Sequence, residues 1–195
     1  MSCYPDAISL RDARTLFFER ANLGADGGYS RRWVRVESKP IAFYFPNCRS
    51  RVAAARLHDL HHIAAEYGTH WAGEAEIAGW EIASGCTHYY VAWILNLGAF
   101  AVGLIVAPRS LFRAFVRGRR ARTNLYHTGL SELQLDGVTV GMLRARLAVG
   151  APSVKARASD AAMFALWSAI AAVWLLAPLV AVVLGFFITR IVAYG

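Results

Sequence analysis

Apolar residues recur with different periods along the chain, and the changes of period divide it into elements. Over residues 9–23, Leu10, Leu16, Phe17 and Phe18 stand at helical spacing among charged neighbours before Gly24, Gly27 and Gly28, which predicts a short amphipathic helix. Trp33-Val34-Arg35-Val36-Glu37 and Ile41-Ala42-Phe43-Tyr44-Phe45 flank Lys39-Pro40 and stop at Pro46-Asn47. Two such runs of β-branched and aromatic residues around a turn predict a small β-hairpin. From Arg49 to Glu66 the chain is rich in Ala, Arg, Leu and His, free of Pro and Gly, and closed by Tyr67-Gly68, so a helix is expected. A second helix is expected from an N-cap at Thr69 to about Ser84, before Gly85, making a helical hairpin that pivots on Gly68. A further short helix is expected over 138–148, and Gly150-Ala151-Pro152 reads as a boundary.

Two stretches depart from this soluble pattern. Residues 161–189 carry no charged side chain, whereas about 20 apolar residues suffice to cross a hydrocarbon core about 30 Å thick. Pro178 leaves two shapes open, a single tilted or kinked transmembrane helix and a re-entrant helical hairpin. Residues 89–107 are also free of Asp, Glu, Lys and Arg, and suit an interfacial or core helix in contact with a polyprenyl chain or the acyl layer. The fold class expected is therefore mainly α, in three parts: an N-terminal helix and β-hairpin over 1–48, a helical domain over 49–152, and a membrane tail over 153–195.

The composition agrees: 56% of residues are hydrophobic, above the about 45–50% of soluble domains. Lys and Arg number 21 against 13 Asp and Glu, and much of the surplus is Arg109, Arg113, Arg117, Arg119, Arg120 and Arg122. The basic run is expected to face anionic lipid headgroups rather than nucleic acid. Cys3, Cys48 and Cys86 form no C-x-x-C pair, which argues against a disulfide framework or a cysteine zinc cluster and for a reducing compartment. The first thirty residues carry charges throughout and no apolar core, unlike a cleaved secretory signal.

The candidate chemistry lies in the helical hairpin. His58 and His62 stand at i and i+4, on one helix face, with Asp59 three residues before His62. His62 lies six residues before Gly68 and Glu74 six after it, so the glutamate falls at matching height on the facing helix, and Gly73 permits close approach. Imidazole and carboxylate suit zinc and other divalent first-row metals, and the expected ligand set is His58, Asp59, His62 and Glu74. Asp59 is expected either as a ligand or as a partner that fixes an imidazole. His61 points about 100° away from His62 and stays outside this set, while His70, His88 and His127 are expected to be structural. Glu81, seven residues after Glu74 on the same face, is the candidate catalytic proton acceptor or outer carboxylate. His58-x-x-His61-His62 also matches one box of the membrane di-iron desaturases, but six histidines are too few for that class.

His-Asp-x-x-His, eleven residues and then Glu resembles the signature of the coenzyme Q biosynthesis protein 4 family. Gly73-Glu74, Trp80-Glu81-Ile82-Ala83-Ser84-Gly85, Gly118-Arg119-Arg120-Ala121, Asn124-Leu125-Tyr126 and Leu143-Arg144 with Leu147 extend the likeness over about residues 50–150. The hairpin at 33–45 and the apolar tail are departures from the family pattern. The resemblance implies a helical, membrane-associated protein with a divalent metal usually taken as zinc. It further implies ubiquinone biosynthesis, with removal of the ring carbon 1 carboxyl group of a prenylated precursor and hydroxylation of that carbon. The partners it implies are a prenylated or lipid-like substrate, the membrane and other quinone-biosynthesis proteins, with homo-oligomers left open and no nucleic acid. The rival is a non-catalytic scaffold or lipid carrier pinned by the metal. Lys155 and Arg157 precede the apolar tail and Arg190 alone follows it, so the metal domain is expected on the cytoplasmic face, at the inner membrane in a bacterium.

Overall fold

A computed structural model describes residues 3–38, 41–149, 151 and 154–194, with the side chains over 35–43 and 178–194 left out of the description. The protein is mainly helical. Helix α1 (Leu10–Arg20) precedes an antiparallel hairpin, β1 (Trp33–Ser38) and β2 (Ile41–Pro46), with Trp33 opposite Pro46 and Ser38 opposite Ile41. There follow α2 (Arg49–Ala65), α3 (Trp71–Ser84), α4 (Tyr90–Val106), α5 (Pro108–Gly118), the short α6 (Leu125–Thr128), a 3-10 turn at Glu132–Gln134, α7 (Val140–Leu147) and α8 (Ala158–Tyr194). The expected turn at Lys39-Pro40 and the boundary residues Gly150 and Pro152 lie outside the described residues.

Local chemistry accounts for several of the helix ends. The Ser9 hydroxyl caps α1 by accepting the Asp12 amide, and Thr139 caps α7 through the Met142 amide. Helix α2 stops where Glu66 turns left-handed at φ 61° and its amide closes on the His62 carbonyl. The N-cap of α3 is His70 rather than the expected Thr69. The cause is the tight return of the chain: the Gly68 carbonyl passes directly over Gly73, where a Cβ would meet its oxygen at 2.1 Å. The connection therefore uses one more residue before helical geometry resumes.

Two apolar clusters hold these helices together. The first joins α1, α2, α3, α6 and α7 through side chains such as Leu10, Phe17, Leu60, Ile63, Trp80, Leu125 and Leu143. The second lies among α3, α4, α5 and α8 around Phe100, Leu111, Phe115 and Ala171. Close approach of α5 to α3 requires Gly118, where a Cβ would lie 2.4 Å from the Trp80 carbonyl.

Helix α8 is a single helix from Ala158 to Tyr194, with no turn at position 178. Its stretch Ala158–Ala177 has a mean hydropathy of 1.7 and could cross a membrane by length and composition. Its first turns nevertheless pack on the helical body. Trp167 stacks on Trp93 at 5.3 Å, and Phe164 meets Phe100, Phe112 and Phe115 at 5.4, 5.0 and 5.4 Å between ring centres. Asp160, fully buried, accepts from Arg119 Nε at 2.7 Å, Arg120 Nη1 at 3.0 Å and the amide of Arg157, just before α8, at 2.8 Å. The sequence boundary before residue 153 is thus crossed by a packed interface.

The basic run is divided by the fold. Arg117 is buried and donates to the Ala65 carbonyl at 2.7 Å, and Arg119 and Arg120 grip Asp160. Arg109, Arg113 and Arg122 stay exposed.

Candidate metal centre

His58, His62 and Glu74 converge between α2 and α3, with one donor atom from each lying within 4.8 Å of the others. The two imidazoles meet edge to face, and their Nε2 atoms stand 3.1 Å apart. Glu74 presents Oε2 at 3.5 Å to His58 Nε2 and Oε1 at 3.6 Å to His62 Nε2. A tetrahedral ion held at about 2.0–2.1 Å by each donor has donors about 3.3–3.4 Å apart, so this triad has nearly the spacing such an ion needs.

Both imidazoles are held by their other nitrogen. His62 Nδ1 lies 3.0 Å from the Tyr67 carbonyl, which can only accept, so the proton sits on Nδ1 and Nε2 carries a lone pair. His58 Nδ1 donates likewise to Glu81 Oε1 at 3.0 Å. Two lone pairs and a carboxylate then point into one small space. Without a cation, the pair is relieved by a proton on His58: burial opposes its charge, but Glu81 and Glu74 outweigh burial and raise the imidazole well above its ordinary range. Burial likewise opposes charge on Glu74, and hydrogen bonds to His58 and His62 reverse it, leaving this carboxyl well below its ordinary value. This donor set could hold a metal ion. His62 is 1% exposed, whereas the His58 and Glu74 side chains are 23% and 37% exposed, so one side of the triad opens to the surface.

Asp59 is not among the three converging donors. One residue further round the helix than His58, it turns towards the segment before β1, where its carboxylate accepts the Tyr29 hydroxyl. Its carboxyl is raised, chiefly by burial, and the Tyr29 phenol is raised by burial and by the Asp59 charge. Phe17 stacks on the His62 ring at 5.5 Å and closes the site on the α1 side.

Glu81 is the hub behind the triad. Oε1 accepts from His58 Nδ1 at 3.0 Å and His61 Nδ1 at 2.6 Å; Oε2 accepts from Asn96 Nδ2 at 2.6 Å and the Tyr126 hydroxyl at 3.1 Å. The side chain is fully buried; burial raises its carboxyl, but the charge and hydrogen bonds of His58 and His61 outweigh burial and hold it far below the ordinary range. A carboxylate so enclosed is placed to orient the His58 and His61 imidazoles. His61, also fully buried, donates to Glu81 and accepts the Leu125 amide at its Nε2 at 2.8 Å. Burial holds His61 below its ordinary pKa, as a neutral ring. His127 meets the Ser84 carbonyl at 3.0 Å, His70 stands at the N-cap position of α3 without a side-chain cap, and His88 stacks on Tyr89.

Asn96 and Tyr29 were not singled out by the sequence pattern, and Tyr126 entered only within the Asn124-Leu125-Tyr126 segment of the resemblance, with no role of its own. Asn96 did carry a signal: it is the one amide in the uncharged stretch 89–107, and a lone amide there must find a buried partner. Tyr126 and Tyr29 reach the site through folds of the chain that no spacing announces. Comparison of the chain with protein-family models, with curated proteins and with solved structures found no match.

Proposed function

We propose that this protein is a membrane-anchored metalloprotein of ubiquinone biosynthesis, acting at ring carbon 1 of a prenylated aromatic precursor by decarboxylation and hydroxylation. The observation that carries the reading is the triad itself: two imidazoles of fixed tautomer and one carboxylate at ion-binding spacing, on the residues of the His-Asp-x-x-His and Glu pattern. Further support comes from where the other segments of the resemblance lie. Glu81 holds His58, the Leu125 amide and Tyr126 hydroxyl complete the Glu81 cluster, and Arg144 donates to the Ala64 carbonyl and Glu66 at the end of α2. Segments distant in sequence thus meet around one pair of helices.

A bound divalent ion, zinc by the resemblance, would polarise a substrate carboxylate or phenolate and stabilise charge as carbon dioxide leaves, with the oxidising equivalents for hydroxylation supplied from outside the protein. The chain's own part is to hold and expose that ion. His58, His62 and Glu74 bind it, Glu81 and the Tyr67 carbonyl fix the imidazoles, and the exposed edges of His58 and Glu74 leave a side open to a ligand. Helix α8 keeps the site beside the membrane in which a prenylated substrate dissolves. By charge balance the metal domain faces the cytoplasm and the C-terminus lies across the membrane; a C-terminal reporter active only in the cytoplasm is expected to be silent.

The test is expression in cells lacking their own coenzyme Q biosynthesis protein 4. Wild-type protein is expected to restore ubiquinone and His62→Ala to fail. A well-expressed wild-type protein that never restores it would assign the site another substrate. The saturated, sealed state of Glu81 favours a second reading, a scaffold whose metal only pins α2 to α3. On that reading a folded His62→Ala protein restores ubiquinone as well as wild type does.

A further inference from the structure

The seam between α4 and α8 is closed by Trp93 on Trp167 and Phe100 beside Phe164. The sides turned away from it are apolar and bare. On α4, Ile94, Leu95 and Ile105 are exposed, Ile105 by 79%, and position 98 between them is a glycine with open space around it. Ile94 and Ile105 are eleven residues apart, three turns of helix, and so share one stripe. On α8, Leu166, Ile170 and Val173 stand at i, i+4 and i+7 and form a second stripe, with Val173 67% exposed. Apolar surface this continuous marks a contact site rather than a water-facing wall.

Three observations name what covers it. Helix α8 continues beyond this stripe, and its sequence stays uncharged to residue 189. Helix α4 has no charged residue, and its one amide, Asn96, is turned inward to Glu81. A protein partner's contact face normally carries a polar rim and hydrogen bonds, whereas this face offers none along α4 between Tyr90 at one end and the exposed Arg109 and Arg113 just past the other. An aromatic at one edge and arginines at the other are the usual borders of a face lying in acyl chains.

We infer that the outer face of α4 is a second membrane contact, lying in the phospholipid acyl layer beside α8 with Arg109 and Arg113 among the headgroups. The metal-binding body is then seated in the membrane surface instead of hanging from α8. The inference rests on the reading that α8 enters the membrane. Because Leu95 faces lipid while its neighbour Asn96 holds Glu81, the same helix both seats the protein and orients His58.

The test uses the full chain, with Cys3→Ser and Cys48→Ser removing the exposed thiols. Single cysteines are introduced as Leu95→Cys, Ile105→Cys, Leu176→Cys on α8 and Met142→Cys, an exposed apolar position on α7. Each carries an environment-sensitive fluorophore. The proteins are reconstituted into phosphatidylcholine–phosphatidylglycerol vesicles with and without brominated acyl chains, and equal metal content checks the fold. Blue-shifted emission and loss of fluorescence in brominated vesicles are expected at 95, 105 and 176, with neither at 142. Quenching at 176 alone would overturn the α4 contact and leave α8 in the membrane. Absence of quenching at 176 as well would overturn the membrane reading of both helices. Labels at 95 and 105 that shift to the blue yet escape the bromine would assign the face to a second copy or another protein and overturn the inference.

Discussion

Replacing Glu81 by glutamine removes a charge and keeps a shape. Oε1 of the native side chain accepts from two imidazole N–H groups, at 3.0 and 2.6 Å, and Oε2 from Asn96 and Tyr126, at 2.6 and 3.1 Å. A glutamine keeps all four contacts if its carbonyl faces the histidines and its amide faces Asn96 and Tyr126, because the asparagine amide can turn and the phenol can accept. What disappears is the negative charge behind His58, which makes that imidazole a stronger metal donor. Loss of such a partner lowers metal affinity about 10- to 100-fold, or about 1.4–2.7 kcal/mol. Alanine does something different: it strands four buried donors, at about 1 kcal/mol each by the lowest usual figure, against a total stability of about 5–15 kcal/mol. Glu81→Gln is therefore expected to fold and bind metal weakly, and Glu81→Ala to lose folded protein. A competition titration with a chromogenic chelator reads the first effect, and thermal unfolding followed by circular dichroism reads the second. Glutamine protein that folds and binds metal with wild-type affinity would refute the claim that Glu81 acts through His58.

The proton that His58 holds in the metal-free protein has to leave when metal enters, because Glu81 and Glu74 raise this imidazole above its ordinary 6.5 in spite of burial. Apparent metal affinity should rise about tenfold per pH unit above that value and flatten beyond the raised pKa. The metal-free fold, conversely, keeps the stabilisation from this proton below 6.5 and loses it as pH rises through the raised value; calorimetric titrations in buffers of different ionisation heat check both, and a flat affinity profile contradicts them. Gly73→Ala would place a methyl group 2.1 Å from the Gly68 carbonyl oxygen, so the α2–α3 connection must shift, at about 1–3 kcal/mol; elemental analysis is expected to show reduced metal, since Glu74 moves with it. Ending the chain after Ala177 should leave metal content unchanged, because Phe164, Trp167 and Ala171 remain in the second core. Ending it before Ala158 uncovers Phe100, Phe115 and Trp93, at about 1.5–3 kcal/mol for each large side chain, and an unchanged melting temperature would show that α8 does not stabilise the body.

Periodicity and punctuation sufficed for what is local. The helices at 10–20, 49–65, 71–84 and 140–147, the hairpin between 33 and 46 and the apolar helix from 158 follow from residue spacing and from where Gly, Pro and capping residues fall, because each depends on contacts within a few residues. The meeting of His58, His62 and Glu74 was legible for the same reason: i and i+4 share a face, and a short turn brings equal heights together. Everything that distinguishes one carboxylate from another was decided by the tertiary structure. Asp59 sits next to His58 in sequence, but one residue is 100° of helix, and the chain before β1 brings Tyr29 to meet it. Glu81 repeats the spacing of Glu74, yet Asn96 from α4 and Tyr126 from α6 seal it inside, where it accepts from the His58 and His61 imidazoles. The six arginines of one basic run separate into an internal set and an exposed set because a partner 41 residues away, Asp160, reaches Arg119. A sequence records which groups can carry charge or bind a metal; which of them are buried, and against what, is set by contacts between segments far apart along the chain, where no local pattern leaves a trace.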